Sequence, residues 1–485
     1  MESDGPFAYW INGIAGVGKS ILARHLAEFL ENGDRLGCLV HLGVNSHHSP
    51  SSLIQAMARQ LAERHPPPCH DAIADEAKRK PSDVERLDSI FKRYLYKPIE
   101  LLKASAPLVF ILDALDEWPR WHAEAFIKVL NNAHGGCIRF IFTSRSYDEI
   151  GNTLRHLSHR EFRLLTVPDI VMKSYFQAFF RDTSPQLHLG DIRPDEIDSL
   201  VHQANGLFIW AATVCRLIEY PYGEAPRDVL KRLISLPSTA VHDSESLMRN
   251  LYDEGLQRLC GGQEYQCDTL RRVLHVMATM QHNLSLQSFS TFVGIRKDQV
   301  RQFHSHMRAF YNFTQQQWNA DVIQPLHVTT HASFRDFLFN NDATAHKFVI
   351  RLQDGHSIIL GVCHSHVKRF LENPDIMLFE TFKDLPSHFE EYVFTYWMLH
   401  GVAAERSGFL LDDALHKHLQ ILHCLICPSD PKLSMPPSLP SFKVPGKIVS
   451  TIRGIMIPLL DNIDDHLLPT VSIHLVHVKP HQYLN

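Results

Sequence analysis

The sequence predicts an α/β fold, in which a doubly wound parallel sheet is followed by helical and winged-helix domains that are mostly α. Short apolar runs alternate with segments of helical period up to about residue 155, as in parallel strands joined by crossover helices. Beyond that point the helical period prevails. The predicted domains are 1–155 for the sheet, 156–240 helical, 241–345 winged-helix-like, 346–427 helical, and 428–485 for a proline-rich linker and an unclassified tail.

Four apolar runs are the strand candidates of the predicted sheet. The run at 108–112 holds no polar residue, which is typical of a central parallel strand covered on both faces. The other three runs are similarly short and are bounded by polar or turn-forming residues. In chain order the candidates are 7–11, 36–44, 108–112 and 138–142.

Helical spacing of apolar residues predicts the remaining elements. Within the sheet domain the expected helices are 20–30, 53–61, 84–102 with a disturbance at Pro98, and 121–130. Beyond it they are 168–180, 194–204, 207–218, 246–260, 270–280, 284–295, 300–310, 333–339, 348–371 and 388–404. Residues 322–328 are expected to form an extended wing, and the six prolines between 427 and 447 exclude regular structure there.

Net charge and cysteine distribution limit the molecules that the chain is expected to bind and the compartment in which it is expected to lie. The formal net charge is -5 and 21% of residues are charged, so the chain as a whole does not predict a nucleic-acid surface. Nine cysteines are scattered along the chain, which favours a reducing, cytoplasmic setting. The pair Cys424 and Cys427 lacks a second pair, so we interpret both as structural or incidental thiols. We expect no secretory signal and no membrane span.

The first strand candidate leads into residues 13–20, which read Gly-Ile-Ala-Gly-Val-Gly-Lys-Ser. This is the Walker A pattern, in which glycines let backbone N–H groups and a helix N-terminus approach phosphate oxygens. Lys19 is expected to reach the β- and γ-phosphates, and the Ser20 hydroxyl to ligate Mg²⁺. The residues predicted to bind the nucleotide here are Gly13, Ala15, Gly16, Val17, Gly18, Lys19, Ser20 and Ile21.

Acidic residues follow the strand candidate at 108–112. Asp113 lies in the Walker B position, where it would hold Mg²⁺ together with Ser20. Asp116 and Glu117 come next and could orient or deprotonate an attacking water. A solvated loop would also carry three acids, but the intact Walker A motif favours the catalytic interpretation. Arg145, after the fourth strand candidate, could contact the γ-phosphate or could be an ordinary surface arginine.

Taken in order, these motifs resemble those of the NACHT class of STAND P-loop NTPases, and more narrowly of fungal NLR-like proteins. Two later segments agree with that resemblance, which extends over roughly residues 7–405. Residues 204–212, Ala-Asn-Gly-Leu-Phe-Ile-Trp-Ala-Ala, resemble the family's helical-domain segment. Residues 331–338, His-Ala-Ser-Phe-Arg-Asp-Phe-Leu, resemble its winged-helix motif.

The resemblance implies a signal-transduction switch of the kind found in innate immunity. ADP holds such proteins closed, and exchange for ATP opens them and permits homo-oligomerisation. His331 matches the winged-helix histidine that contacts the ADP β-phosphate; a helix cap or a core residue is the alternative, and His327 is a competitor. Residues 206–208 read Gly-Leu-Phe where relatives carry Gly-x-Pro. With no Asn-Lys-x-Asp motif, ATP/ADP with Mg²⁺ is the expected ligand set.

Three functions are compatible with these motifs. The first is a slow ATPase whose hydrolysis resets a switch. The second is a scaffold that retains its nucleotide with little turnover, and the third is a metabolic P-loop kinase, against which the extra helical domains argue. Because few residues precede the loop and no repeats follow, we expect a short or truncated family member with unknown protein partners.

Overall fold

The computed structural model describes the chain over most of its first 405 residues. The described ranges are 6–42, 49–65, 67–78, 86–103, 106–132, 137–236, 244–261, 263–311, 319, 321–340, 346–372 and 388–405. The predicted proline-rich linker, the tail, and the pair Cys424 and Cys427 therefore lie outside the described residues.

A five-stranded sheet of parallel strands forms the first part of the chain. Its strands are β1 (Ala8–Asn12), β2 (Leu36–His41), β3 (Leu108–Asp113), β4 (Ile138–Ser144) and β5 (His159–Arg163), in the order β2-β3-β4-β1-β5. The four predicted strands are confirmed. Because β4 lies between β1 and β3, the strand that precedes Arg145 separates the strands that precede the Walker A and Walker B motifs.

The edge strand β5 was missed by the sequence analysis. It pairs with β1 in parallel register, from His159 opposite Ala8 to Arg163 opposite Asn12. Four of its five residues are exposed, so the segment has no apolar run that would identify it as a strand. The boundary predicted at residue 155 falls before this strand, and the sheet continues to residue 163.

Helices cover both faces of the sheet, which makes it doubly wound. They are α1 (Lys19–Asn32), α2 (Pro50–Arg64), α3 (Cys69–Ala77), α4 (Leu87–Phe91), α5 (Lys97–Leu101), α6 (Arg120–Asn132) and α7 (Asp148–Leu154). On one face Ala23 and Ala27 of α1 join Val109 and Ile111 in a buried cluster. The larger cluster on the other face includes Leu53, Met57, Phe91, Phe110, Phe126, Phe140 and Phe142.

The disturbance predicted at Pro98 takes the form of a π-helical turn. Residues Lys92–Tyr96 form this turn between α4 and α5, one turn before the proline. Pro98 has no N–H, and its ring crowds the carbonyl four residues earlier, so the preceding turn widens. The single helix predicted at 84–102 is therefore divided into three pieces.

The remaining described chain is mostly helical, as predicted. Its elements are α8 (Asp169–Leu187), α9 (Pro194–Ala204), α10 (Phe208–Glu219), α11 (Pro226–Ile234), α12 (Ser244–Leu259), α13 (Glu264–Thr279), β6 (Leu284–Ser285), α14 (Leu286–Val293), α15 (Lys297–His306), β7 (Val322–Ile323), α16 (Leu326–Thr329), α17 (Ala332–Leu338), α18 (Leu352–Glu372) and α19 (His388–Glu405). The chain forms two compact units that divide between Tyr252 and Asp253, with His331–Phe334 belonging to the first. No helix in the described ranges is long and apolar enough to cross a bilayer.

The predicted wing at 322–328 is extended only at its start. Val322 and Ile323 form the two-residue strand β7, which pairs antiparallel with β6. Pro325 then caps the short helix α16, because its fixed φ suits the start of a helix and its missing N–H is not needed there. Leu326 is buried as a result.

The buried side chains of Tyr392 and His400 on α19 and the half-buried His356 on α18 connect these two helices. Tyr392 Oη accepts the backbone N–H of Gln281 at 3.1 Å and lies 2.9 Å from His400 Nε2. His400 Nδ1 lies 2.8 Å from His356 Nδ1. A neutral histidine carries one ring proton, so His400 donates to one of these two neighbours and accepts from the other. Burial lowers the pKa of His356 to about 4, and burial followed by the neighbouring His356 lowers that of His400 well below its ordinary value.

We expect acid to destabilise this helix pair. The folded pKa of His356 lies below that of the unfolded chain, near 6.5, so the unfolded state binds more protons as the pH falls from about 6.5 towards 4. Stability present at neutral pH should decrease by about 1–2 kcal/mol between pH 6.5 and 5. Thermal unfolding at both pH values should show a smaller decrease for His356→Gln than for wild type. An equal decrease would contradict the assignment, and His202→Gln, on the exposed face of α9, is the control.

Candidate functional site

The loop that carries the Walker A motif, which we call the phosphate loop, occupies the turn between β1 and α1. Residues 13–18 connect Asn12, the last residue of β1, to Lys19, the first residue of α1. Gly16 and Gly18 have φ of 83° and 101°, a left-handed conformation that favours glycine. The carbonyl of Gly18 accepts the N–H of Leu22 at 2.9 Å and starts the helix. The strand, glycine loop and helix predicted from the motif are thus all present.

Lys19 lies against the loop that precedes it. Its Nζ donates to the carbonyl oxygens of Gly13 and Ile14, both at 2.8 Å. Burial lowers the pKa of Lys19 to about 8, with Asp116 opposing the shift and Arg145 adding to it. Asp113 and Glu117 also act electrostatically on this ammonium group. The residues predicted from separate motifs therefore converge around Lys19.

Asp113 is a buried carboxylate at the end of β3. Its Oδ2 lies 2.8 Å from His41 Nδ1, and its Oδ1 accepts a short hydrogen bond from the Thr143 hydroxyl. Ser20 on α1 lies near this carboxylate and makes a further, smaller contribution to lowering its pKa. Burial works to raise the pKa of Asp113, but the hydrogen bonds from His41 and Thr143 outweigh it and hold the pKa below its ordinary value. Asp113 is therefore ionised at neutral pH.

Asp116 and Arg145 form an ion pair beside the loop. Arg145 Nε lies 3.3 Å from Asp116 Oδ2, and the Arg145 backbone N–H donates to Asp116 Oδ1 at 3.1 Å. Asp116 lies in the short 3₁₀ turn Leu115–Glu117, which follows Ala114 in a left-handed conformation. The structure thus gives Asp116 a positioning contact that the sequence did not reveal. Whether Asp116 or Glu117 acts on water stays a prediction.

The residues present fit a magnesium nucleotide. The hydroxyl of Ser20 and the carboxylate of Asp113 are neighbouring oxygen groups, which is the ligand chemistry that Mg²⁺ prefers. The cation would neutralise phosphate charge beside Lys19. Glycine is also required for the packing of the loop, because a Cβ on Gly13 would lie 2.6 Å from the carbonyl oxygen of Leu164.

The start of helix α10 packs directly on the phosphate loop. The N–H of Ile209 donates to the carbonyl of Gly16 at 3.1 Å. A Cβ on Gly16 would lie 2.1 Å from Ile209 Cγ2, and one on Gly18 would lie 3.3 Å from Phe208 Cδ2. Just before this helix, Gly206 has a left-handed φ of 72°. Its carbonyl oxygen accepts the N–H of Val167 at 3.0 Å. The sequence contained this segment as a motif, but its contact with the loop was not predicted.

His331 lies immediately before α17. Its Nδ1 accepts the backbone N–H of Ser333 at 3.1 Å and lies 2.7 Å from the Ser333 hydroxyl, so the ring caps this helix. The same hydroxyl lies 2.8 Å from Tyr252 Oη. The capping role that we weighed as an alternative is thus present. Contact of His331 with a nucleotide stays a prediction.

Comparisons with known proteins support the fold of the first part of the chain. The family model for the N-terminal region of nephrocystin 3 matches residues 1–145, which is less than half of the chain. A solved structure described as Drosophila ORC bound to DNA covers 65% of this chain and 79% of its own, with 14% sequence identity and a TM-score of 0.28. That likeness is too low to support an argument. No curated protein matches. The match over residues 1–145 and the parallel sheet together indicate a P-loop-related α/β fold.

We expect Lys19→Ala to weaken nucleotide binding. The substitution removes the ammonium group that would face the phosphates, and charge-assisted contacts of this kind contribute about 1.5–3 kcal/mol, or roughly 10–100-fold in affinity. Titration with a fluorescent ATP analogue measures the change. Lys128→Ala, on the exposed face of α6, should bind like wild type. Equal affinity for wild type and Lys19→Ala would remove Lys19 from the site.

Proposed function

We propose that this protein is an ATP-binding signal-transduction switch of the NACHT/NLR-like type, with slow Mg²⁺-dependent hydrolysis that resets it. The observation that carries the proposal is the contact of α10 with the phosphate loop, where Ile209 packs on Gly16 and bonds to its carbonyl. A nucleotide site joined directly to a helical segment can transmit its occupancy, whereas a metabolic kinase has no need of such a contact.

The coupling follows from the backbone of the loop. A bound phosphate requires the loop N–H groups to converge on its oxygens, and this fixes the peptide planes of residues 13–18. The hydrogen bond from Ile209 fixes the Gly16 carbonyl, which belongs to the same set of planes. A nucleotide whose phosphates favour one arrangement of the loop therefore favours one position of α10. By linkage, the position of α10 changes nucleotide affinity by the same factor.

The chemical groups for slow hydrolysis lie around Lys19. Glu117 is the candidate base, and Asp113 with Ser20 would hold the cation. Arg145 is bound to Asp116 in this structure, so it has to leave or share that carboxylate before it can stabilise charge on a γ-phosphate. A catalytic arginine held in an ion pair is compatible with a slow ATPase that acts as a timer.

The remaining features of the proposal rest on the family resemblance. ATP/ADP is preferred over guanine nucleotides, homo-oligomerisation accompanies activation, and the setting is cytoplasmic. His331 would contact the ADP β-phosphate in the closed state, in addition to its contact with Ser333.

A scaffold that retains its nucleotide with little turnover is the second candidate. The ion pair between Arg145 and Asp116 favours it, because a permanent pair would keep the arginine from the phosphates. The two candidates differ in turnover and in assembly.

One experiment separates these candidates. The nucleotide that copurifies with the protein is identified, and ATP turnover is measured for wild type and for Lys19→Ala. Turnover above that of the variant, together with concentration-dependent assembly on addition of ATP in mass photometry, supports the switch. Bound nucleotide without turnover, in a protein that stays monomeric, supports the scaffold.

Glu117→Gln should slow hydrolysis and leave binding nearly unchanged. The substitution removes the base but keeps the size and hydrogen-bonding capacity of the side chain, and general-base catalysis contributes about 10²–10⁴-fold. Single-turnover hydrolysis and equilibrium binding of ATP measure the two effects separately. Glu124→Gln, on α6, is the control for loss of one carboxylate. If Glu117→Gln hydrolyses ATP at the wild-type rate, the base is another residue.

Ile209→Ala should accelerate ADP release. The variant keeps the backbone hydrogen bond but loses the side chain that covers Gly16, and truncation at a switch contact changes coupling by about 0.5–2 kcal/mol, or roughly 2–30-fold. Stopped-flow displacement of a fluorescent ADP analogue measures the rate. Ile218→Ala, a buried position on the same helix, is the matched control for general loss of stability. Identical release rates for the two variants would argue against coupling through Ile209.

A further inference from the structure

His41 occupies a position that no motif assigns. It is the last residue of β2, and the sheet register places it opposite Asp113 on β3. Its Nδ1 lies 2.8 Å from Asp113 Oδ2. The imidazole is 59% exposed, whereas the Asp113 side chain is 6% exposed. A solvent-facing histidine therefore contacts a buried carboxylate from the edge of the site.

The hydrogen bond has a defined direction. The ionised carboxylate of Asp113 can only accept, so the proton lies on His41 Nδ1. The hydroxyl of Thr143 donates to the other oxygen, Oδ1. Donors from β2 and β4 thus hold the two oxygens from opposite sides, and together they fix the rotation of the carboxylate about its last bond. Each carboxylate oxygen keeps acceptor capacity beyond these two bonds, and Ser20 on α1 lies near the group.

The exposure of the His41 ring favours a role in positioning Asp113 over a role in stabilising the fold. If His41 were lost, water could replace it at Oδ2, because the ring lies at the surface. The cost to folding would then be small. Water is mobile, however, and does not fix the carboxylate as a ring attached to β2 does. Loss of His41 should therefore affect what Asp113 binds more than it affects the stability of the chain.

We propose that His41 is a positioning residue of the cation site, which orients the Asp113 carboxylate towards the Mg²⁺ held with Ser20. This inference rests on the proposed function, since it requires that Asp113 and Ser20 hold the cation of a bound nucleotide. Outer-shell hydrogen bonds to ligating carboxylates typically contribute 10–100-fold to metal affinity. His41 acts through Asp113, so its effect is confined to the cation-dependent part of nucleotide binding.

The test compares ATP affinity with Mg²⁺ and with EDTA for wild type, His41→Leu and His41→Asn. His41→Leu removes the donor and should weaken MgATP binding about tenfold, with the affinity in EDTA unchanged. His41→Asn places an amide N–H near the position of the imidazole Nδ1 and should restore most of the loss. His25→Leu, an exposed histidine on α1, is the control and should behave as wild type.

Several results would overturn the inference. One is that His41→Leu weakens ATP affinity equally in Mg²⁺ and in EDTA. The others are that His41→Leu binds MgATP as tightly as wild type, or that His41→Asn does not restore the affinity. Thermal unfolding without nucleotide distinguishes a folding defect, which would lower the melting temperature of His41→Leu but not of His25→Leu. If wild type itself binds ATP no better with Mg²⁺ than with EDTA, the proposed function fails as well. If only the His41 variants behave unexpectedly, the proposed function stands and the role of His41 falls.

Discussion

The buried carboxylate of Asp113 is the constraint on which the site depends. An ionised group in such surroundings costs several kcal/mol unless donors compensate it. The donors are His41 at the end of β2 and Thr143 on β4, and Ser20 on α1 adds a smaller favourable contribution. They reach one carboxylate only because β3 lies between β2 and β4. Helix α1 follows β1, which is the next strand beyond β4. The strand order therefore determines which groups can reach the Asp113 carboxylate.

The glycines of the phosphate loop meet two requirements at once. Their left-handed conformations form the turn whose N–H groups would face a bound phosphate. The absence of side chains at Gly16 and Gly18 also lets Ile209 and Phe208 approach closely. A substitution at either glycine would affect the nucleotide and α10 together. Under the proposed function, this shared use of one loop would connect ligand binding to the helical part of the chain.

Two acidic residues at the end of β3 and just after it, Asp113 and Asp116, make different contacts. Asp116 is almost buried and holds both the guanidinium and the backbone N–H of Arg145. Asp113 is held by donors on both sides and remains ionised. Lys19, with its pKa lowered by burial, lies where these charges meet. A bound phosphate would add negative charge to this group, which favours the charged form of Lys19 and competes with Asp116 for Arg145.

The sequence by itself determined the phosphate loop, the strands β1 to β4 and the residues that converge on Lys19, because each motif is local and its apolar flanks are continuous. It did not determine β5, whose exposed residues carry no strand pattern, nor the π-helical turn before Pro98. His41, Thr143 and Ile209 became part of the site only in the tertiary structure. Their contacts depend on which strands are neighbours, on the register between β2 and β3, and on where α10 returns to the loop. Those relations join residues far apart in the chain, and a local pattern does not encode them.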